Sequence, residues 1–269
     1  MDNQKLFSFD QAKIMAVINL TPDSYHAESR AQNHVMLARK VENAIREGAD
    51  WIDLGAVSTR PGSAFVSLEE ERKRLIHHLA SLIKEFPETP FSIDTFRYEI
   101  AREAYENGAA IVNDVSNGQS LKLLKFVAEN DIPYVLMHMR GTPNNMMENT
   151  HYDDVVEDVL RELKTKLDFL ASLGLKRVIV DPGFGFSKTL EQNYMLLKRL
   201  DRFGSLQKPI MVGISRKSMI YKLLGTTASD ALNGTTVLHT IALLKGAKIL
   251  RVHDVKEAVE CRTIVNQIQ

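Results

Sequence analysis

Val178-Ile179-Val180-Asp181-Pro182-Gly183-Phe184-Gly185-Phe186 is the stretch whose reading decides the fold. Three β-branched residues predict a short buried strand, and Asp181 followed by Pro-Gly predicts a tight turn. The run is continuous rather than alternating, as expected for a parallel strand covered on both faces. Working outward, seven more runs of this kind appear: Ile14–Ile18, Trp51–Leu54, Phe91–Ile93, Ala110–Val112, Tyr134–Met137, Ile210–Ile214 and Ile249–Val252. Each stops on polar residues, in order Asn19, Asp53, Asp94, Asn113-Asp114, His138, Asp181, Ser215 and His253.

Helical patterns separate the strands. Val35, Ala38, Val41 and Ile45 share a helix face. Ser67 with Glu70 predicts a capping box, followed by the i,i+4 pairs Glu69–Lys73 and Glu70–Arg74. Asp153, Asp154, Glu157 and Asp158 read as a solvated helix face. Gly48, Gly108, Gly174 and Gly246 each stand between a helix and a strand, the place of a helix-terminating glycine in a short αβ turn. No Pro/Ser-rich linker divides the chain, so residues 1–269 are expected to form one domain. The pattern predicts an α/β single-domain (β/α)8 TIM barrel, a fold that needs about 250 residues; the chain has 269.

Composition narrows the function classes. Lys+Arg and Asp+Glu both number 34, which removes any global electrostatic reason to expect nucleic acid as a partner. No run approaches the roughly 18 apolar residues of a membrane span. Met1 to Lys5 show no basic segment leading into an apolar run, so the expectation is a cytoplasmic protein. The single Cys261 excludes an internal disulfide and Cys-based zinc sites.

In a parallel barrel all strand ends meet on one face, where the loops build the active site. The loops here read Asn19-Leu20-Thr21-Pro22-Asp23-Ser24, Ser58-Thr59-Arg60-Pro61-Gly62, Asp94-Thr95, Asn113-Asp114, His138-Met139-Arg140-Gly141, Asp181-Pro182-Gly183-Phe184-Gly185-Phe186, Ser215-Arg216-Lys217-Ser218 and Arg251-Val252-His253-Asp254. With these motifs in order at eight predicted strand ends, the chain resembles the dihydropteroate synthases over about residues 14 to 260. The resemblance implies condensation of 6-hydroxymethyl-7,8-dihydropterin diphosphate with p-aminobenzoate, a homodimer, and a target of sulfonamides. Three departures stand out. Tyr25-His26-Ala27-Glu28 replaces the family's usual Phe-Ser-Asp-Gly, Gly55-Ala56-Val57 precedes Ser58 in place of Gly-Gly-Glu, and Ser187 replaces a usual glycine.

The side chains suit that chemistry. A pterin edge alternates donors and acceptors; carboxylates accept from its N–H groups, and an Asn both donates and accepts. Asp94, Asn113 and Asp181 are the expected edge readers, with Lys217 donating to the ring carbonyl and a ring nitrogen. Met139 and Gly185 complete the expected pterin site. Arg251 and His253 alternate by two and so project to one face, where they are assigned to the diphosphate with Asn19, Thr59 and Arg60. Asn19 offers a neutral oxygen to Mg²⁺, held otherwise by the diphosphate and water. For p-aminobenzoate, Thr59, Arg60, Pro61, Phe186 and the Lys217 stem supply a slot, and Ser218 opens a helix whose N–H groups favour a carboxylate. Lys217, Arg251, His253 and Asp94 are the expected catalytic residues.

Three other readings stay open at this level. A related pterin-binding methyltransferase would keep the Asp and Asn readers, a Schiff-base aldolase would use Lys217, and a pterin-binding protein without turnover would fit the altered first loop. A phosphate-binding P-loop ending in Ser187-Lys188-Thr189 is rejected, because its glycines would fall at Pro182 and Ser187.

Overall fold

The computed structural model describes residues 6–20, 30–57 and 66–268. Its strands are β1 (Lys13–Asn19), β2 (Trp51–Gly55), β3 (Phe91–Asp94), β4 (Ile111–Asp114), β5 (Tyr134–Met137), β6 (Val178–Asp181), β7 (Met211–Val212) and β8 (Ile249–Val252). All neighbours pair in parallel, in the order β6-β5-β4-β3-β2-β1-β8-β7. One parallel bridge, Val180 to Ile210, joins the two end strands, so the sheet is a nearly closed barrel. The helices are α1 (Arg30–Arg46), α2 (Leu68–Glu85), α3 (Tyr98–Glu106), α4 (Leu121–Glu129), α5 (Val155–Ser172), α6 (Leu190–Lys198), α7 (Ser218–Leu224), α8 (Leu232–Leu244) and α9 (Val255–Val265). The eight-stranded α/β barrel read from the apolar runs is therefore the fold.

Strand ends differ from the sequence reading in instructive ways. Asp94 and Asp181 belong to their strands, because their main chains still pair with Asn113 and Met137. β4 begins at Ile111 rather than Ala110. β7 shrinks from five expected residues to Met211–Val212. Pro209 has no N–H to lend a ladder, and the main chain turns after Ile214, whose carbonyl accepts from Lys217.

Four of the described helices, α2, α4, α5 and α6, start where a side chain satisfies free N–H groups. Ser67 accepts from the Glu70 amide, Ser120 from that of Leu123, and Thr189 forms a reciprocal box with Gln192. The Ser67 cap forms as read, but Glu70 turns its carboxylate to Arg74 at 2.7 Å instead of closing a box. Glu69 pairs with Arg72 rather than Lys73. The acidic face of α5 is not simply solvated either. Asp154 caps the helix and binds Arg199, and Asp158 is buried.

Strand alternation sets the interior. Met15, Trp51, Ile111, Val135, Ile179, Met211 and Ile249 form one apolar cluster with Leu6, a floor against which Phe7 and Phe9 pack. Two residues further along five of those strands, on the same face, stand Asp53, Asn113, Asp181, Gly213 and Arg251. The barrel interior thus changes from apolar to polar in one step toward its C-terminal rim.

Candidate active site

The polar layer is tied together by Asp53. Its Oδ2 accepts from Asn113 Nδ2 at 3.0 Å and from Arg251 Nε at 2.7 Å. Arg251 Nη2 also reaches Asp94 Oδ2 at 2.7 Å. Strand register fixes this meeting, since Asn19, Gly55, Asp94 and Asn113 stand side by side across β1 to β4. Gly55 leaves room for it: a side chain there would start 3.3 Å from Asp94 Cβ. Burial lifts the Asp94 carboxyl to about 7, with Arg251 opposing and the neighbouring Asp53 reinforcing the rise. The Arg251 guanidinium itself stays charged; burial disfavours it, but Asp53 and Asp94 together outweigh that. Asp53 Oδ1 and Asn113 Oδ1 are buried without a hydrogen-bond partner. With Asn113 Nδ2 committed to Asp53, the Asn113 Oδ1 is left as an acceptor for a ligand N–H.

Across the barrel, Asp181 and Lys217 face the same space. A side chain at Gly213 would start 3.9 Å from Asp181 Oδ2, from Lys217 Nζ and from Arg251 Cβ. Asp181 at the end of β6, Arg251 on β8 and Lys217 just before α7 therefore converge around Gly213. Asp181 Oδ1 accepts from the Gly183 amide at 2.8 Å. Burial raises the Asp181 carboxyl, while the Lys217 charge pulls it back. Burial likewise lowers Lys217, to about 8, against the attraction of Asp181. Lys217 Nζ donates to the Phe184 carbonyl at 2.5 Å and lies 4.6 Å from the centre of the Phe186 ring. Gly185 has φ +81° and lets the Lys217 stem pass 3.1 Å from where a Cβ would stand. Met139 and Phe186 pack with Val115, Met137 and Met146 beside this space.

The rim carries the remaining expected residues. His253 is exposed just beyond β8, with its main-chain N–H and Nδ1 each 3.2 Å from Ser215 Oγ. Ser218 is the first residue of α7, directly after Lys217. Asn19 ends β1 and is exposed. Thr59, Arg60, Pro61 and the altered first loop lie outside the described residues. Arg251, expected beside a diphosphate, is already paired with the two carboxylates deeper in the barrel. Among the described residues no group of three His, Cys, Asp or Glu is arranged to hold a metal. The lone neutral oxygen of Asn19 suits a Mg²⁺ that arrives on a diphosphate better than a resident ion.

Several contributors escaped the sequence reading. Asp53 was legible as a strand end but not as the residue that orients both Asn113 and Arg251. Buried His138 and Lys188 form a chain with the half-buried Glu162 behind the Asp181–Phe186 turn. No local spacing signals that chain, because its members come from three separate segments.

Comparison with known proteins fits the geometry. The sequence profile of the family described as pterin binding enzyme matches residues 15–253. The dihydropteroate synthase of Escherichia coli K12 is 41% identical over 255 residues, covering 94% of this chain and 90% of that one. The Yersinia pestis dihydropteroate synthase, solved as a sulfonamide drug complex, superposes with TM-score 0.91 at 34% identity, covering 97% and 96% of the two chains. The Xanthomonas albilineans dihydropteroate synthase in complex with 7,8-dihydropteroate gives TM-score 0.87 at 33% identity, covering 98% and 95%. The chain belongs to the pterin binding enzyme family, and the relatives it resembles there are dihydropteroate synthases.

Proposed function

We infer that the chain condenses 6-hydroxymethyl-7,8-dihydropterin diphosphate with p-aminobenzoate, giving 7,8-dihydropteroate and diphosphate in folate biosynthesis. The observation that carries this reading is the convergence of Asp94, Asn113, Asp181, Lys217 and Arg251 around one buried polar space above an apolar floor. Asp94, Asp181 and Asn113 Oδ1 accept from the pterin N–H groups, and Lys217 donates to its carbonyl and ring nitrogen. The Arg251 charge opposes the rise that burial imposes on Asp94 and so favours its charged, accepting form. Met139 and Gly185 border the ring.

The aniline nitrogen of p-aminobenzoate attacks the pterin methylene carbon as the bond from that carbon to the diphosphate oxygen breaks. A C–N bond replaces a C–O bond, and the nitrogen then loses one proton. The amine is neutral at pH 7, so the protein's contribution is mainly positioning and stabilisation of the leaving diphosphate. His253 at the rim, with Asn19, Thr59 and Arg60 and the Arg251 charge behind them, is assigned to that group. When bound, Mg²⁺ neutralises charge on the diphosphate, with Asn19 as its protein oxygen. Phe186, Pro61, Thr59, Arg60 and the Lys217 stem form the p-aminobenzoate slot, with Ser218 at its carboxylate. Residues 1–269 act as one domain in a cytoplasmic homodimer; no described helix is long and apolar enough to cross a membrane.

Calorimetry with 6-hydroxymethyl-7,8-dihydropterin tests the site. Asp94→Asn and Asp181→Asn should each weaken binding about ten- to a hundredfold, since a hydrogen bond to a charged group contributes about 1.5–3 kcal/mol. Unchanged affinity in both folded variants would contradict the pocket.

A further inference from the structure

Lys188 is buried, and its ammonium reaches no carboxylate of the described residues within ion-pair distance. Its Nζ instead donates to the Gly183 carbonyl at 3.1 Å and the Phe186 carbonyl at 2.9 Å, and meets His138 Nδ1 at 3.0 Å. A buried cation costs much unless every proton finds an acceptor, so a lysine whose three partners are two carbonyls and an imidazole is an expensive way to fill space.

The arrangement also sets the state of His138. The Glu162 carboxylate can only accept, so Nε2 carries the proton and Nδ1 is left to accept from Lys188, whose amine burial lowers to about 7. Nε2 then donates to Glu162 Oε2 at 2.9 Å, and Arg140 Nε holds the other Glu162 oxygen at 3.0 Å. Burial and the Lys188 charge lower His138 to about 4, which keeps the ring neutral. Although burial pushes Glu162 upward, its bonds from His138 and Arg140 hold it at about 2, so it stays charged.

The two carbonyls that Lys188 grips bracket the turn whose other main-chain groups serve the site. The Gly183 amide binds Asp181, and the Phe184 carbonyl binds Lys217. A Cβ at Gly183 would fall 1.9 Å from the His138 carbonyl and 3.4 Å from Lys188 Nζ, so the turn lies directly on the clamp. We propose that Lys188, oriented by the His138–Glu162 pair, is a positioning residue for the pterin site: it sets the 183–186 turn and through it the separation of Asp181 from Lys217. This rests on the reading of Asp181 and Lys217 as pterin ligands.

Because those two residues act in binding, loosening the turn should weaken substrate binding more than turnover. In steady-state assays, Lys188→Met should raise KM for the pterin diphosphate at least tenfold while kcat falls less than threefold. His138→Leu should do the same. His138→Asn should stay within about threefold of wild type, because its Oδ1 replaces the Nδ1 acceptor. A residue that only supports folding would reduce the active fraction, lowering kcat at unchanged KM. That outcome, or equal impairment by His138→Leu and His138→Asn, overturns the proposal. If Lys188→Met does not fold, the two His138 variants decide. Failure of the unsubstituted protein to bind pterin overturns the functional reading, and this proposal with it; normal binding with an unshifted KM in the variants overturns this proposal alone.

Discussion

Asp94 shows how much one carboxyl can be asked to do. Burial raises it to about 7, yet its proposed partners are N–H donors that need it ionised. Binding is then coupled to loss of its proton, so pterin affinity should rise as pH increases through about 7. On the other side Lys217, lowered to about 8, must stay protonated to donate, so affinity should fall as pH passes that value. The account predicts an affinity maximum between pH 7 and 8 by calorimetry, with the acidic limb lost in Asp94→Asn. A flat profile from pH 6 to 9 would contradict it. For the free protein the sign is opposite on the acid side. A carboxyl raised from 3.8 contributes full stability below that value and loses it as pH climbs through about 7, so unliganded protein should melt lower at pH 8 than at pH 5 on this group's account. Asp94, Asn113 and Asp181 were legible because polar residues ended apolar runs. Asp53 was harder, since its role depends on contacts with Asn113, 60 residues away, and Arg251, 198 residues away.

The β6–α6 connection is the element on which the site turns. Three residues in it occupy the left-handed region, Gly183, Gly185 and Ser187, and the first and last have opposite consequences. Gly183 at φ +73° leaves no room for a methyl group against the His138 carbonyl. Gly183→Ala should therefore displace the turn, weakening pterin binding at least tenfold and lowering Tm. Ser187, at φ 48°, carries a conformation that glycine adopts freely, but its hydroxyl accepts from the Arg140 amide at 3.0 Å. Relief of backbone strain and loss of that bond nearly cancel, so Ser187→Gly should change stability by less than about 1 kcal/mol. A Gly183→Ala variant that binds pterin normally would show that the turn is not rigidly placed. The sequence marked this loop through Pro182, Gly183 and Gly185. It did not reveal that Lys188 grips it, because a lysine three residues from Gly185 reads as solvent-facing until its neighbours are known.

At the scale of the whole molecule, period-two alternation along the strands divides the barrel into an apolar floor and a polar upper layer. Apolar runs revealed the strands, and their ends revealed the rim. The shortened β7 was not legible, because Ile210–Ile214 satisfies every strand preference and only the bend after Ile214 ends it. The ion-pairing of Arg251 with Asp53 and Asp94 was hidden for a different reason: it joins β8 to β2 and β3, and only the pairing of the last strand with the first brings them together. Incubation of the protein with 6-hydroxymethyl-7,8-dihydropterin diphosphate, p-aminobenzoate and Mg²⁺ is the direct measurement. The account predicts 7,8-dihydropteroate and diphosphate in equal amounts, dependent on all three additions. Pterin binding without either product would contradict it and leave a binding protein in place of the enzyme.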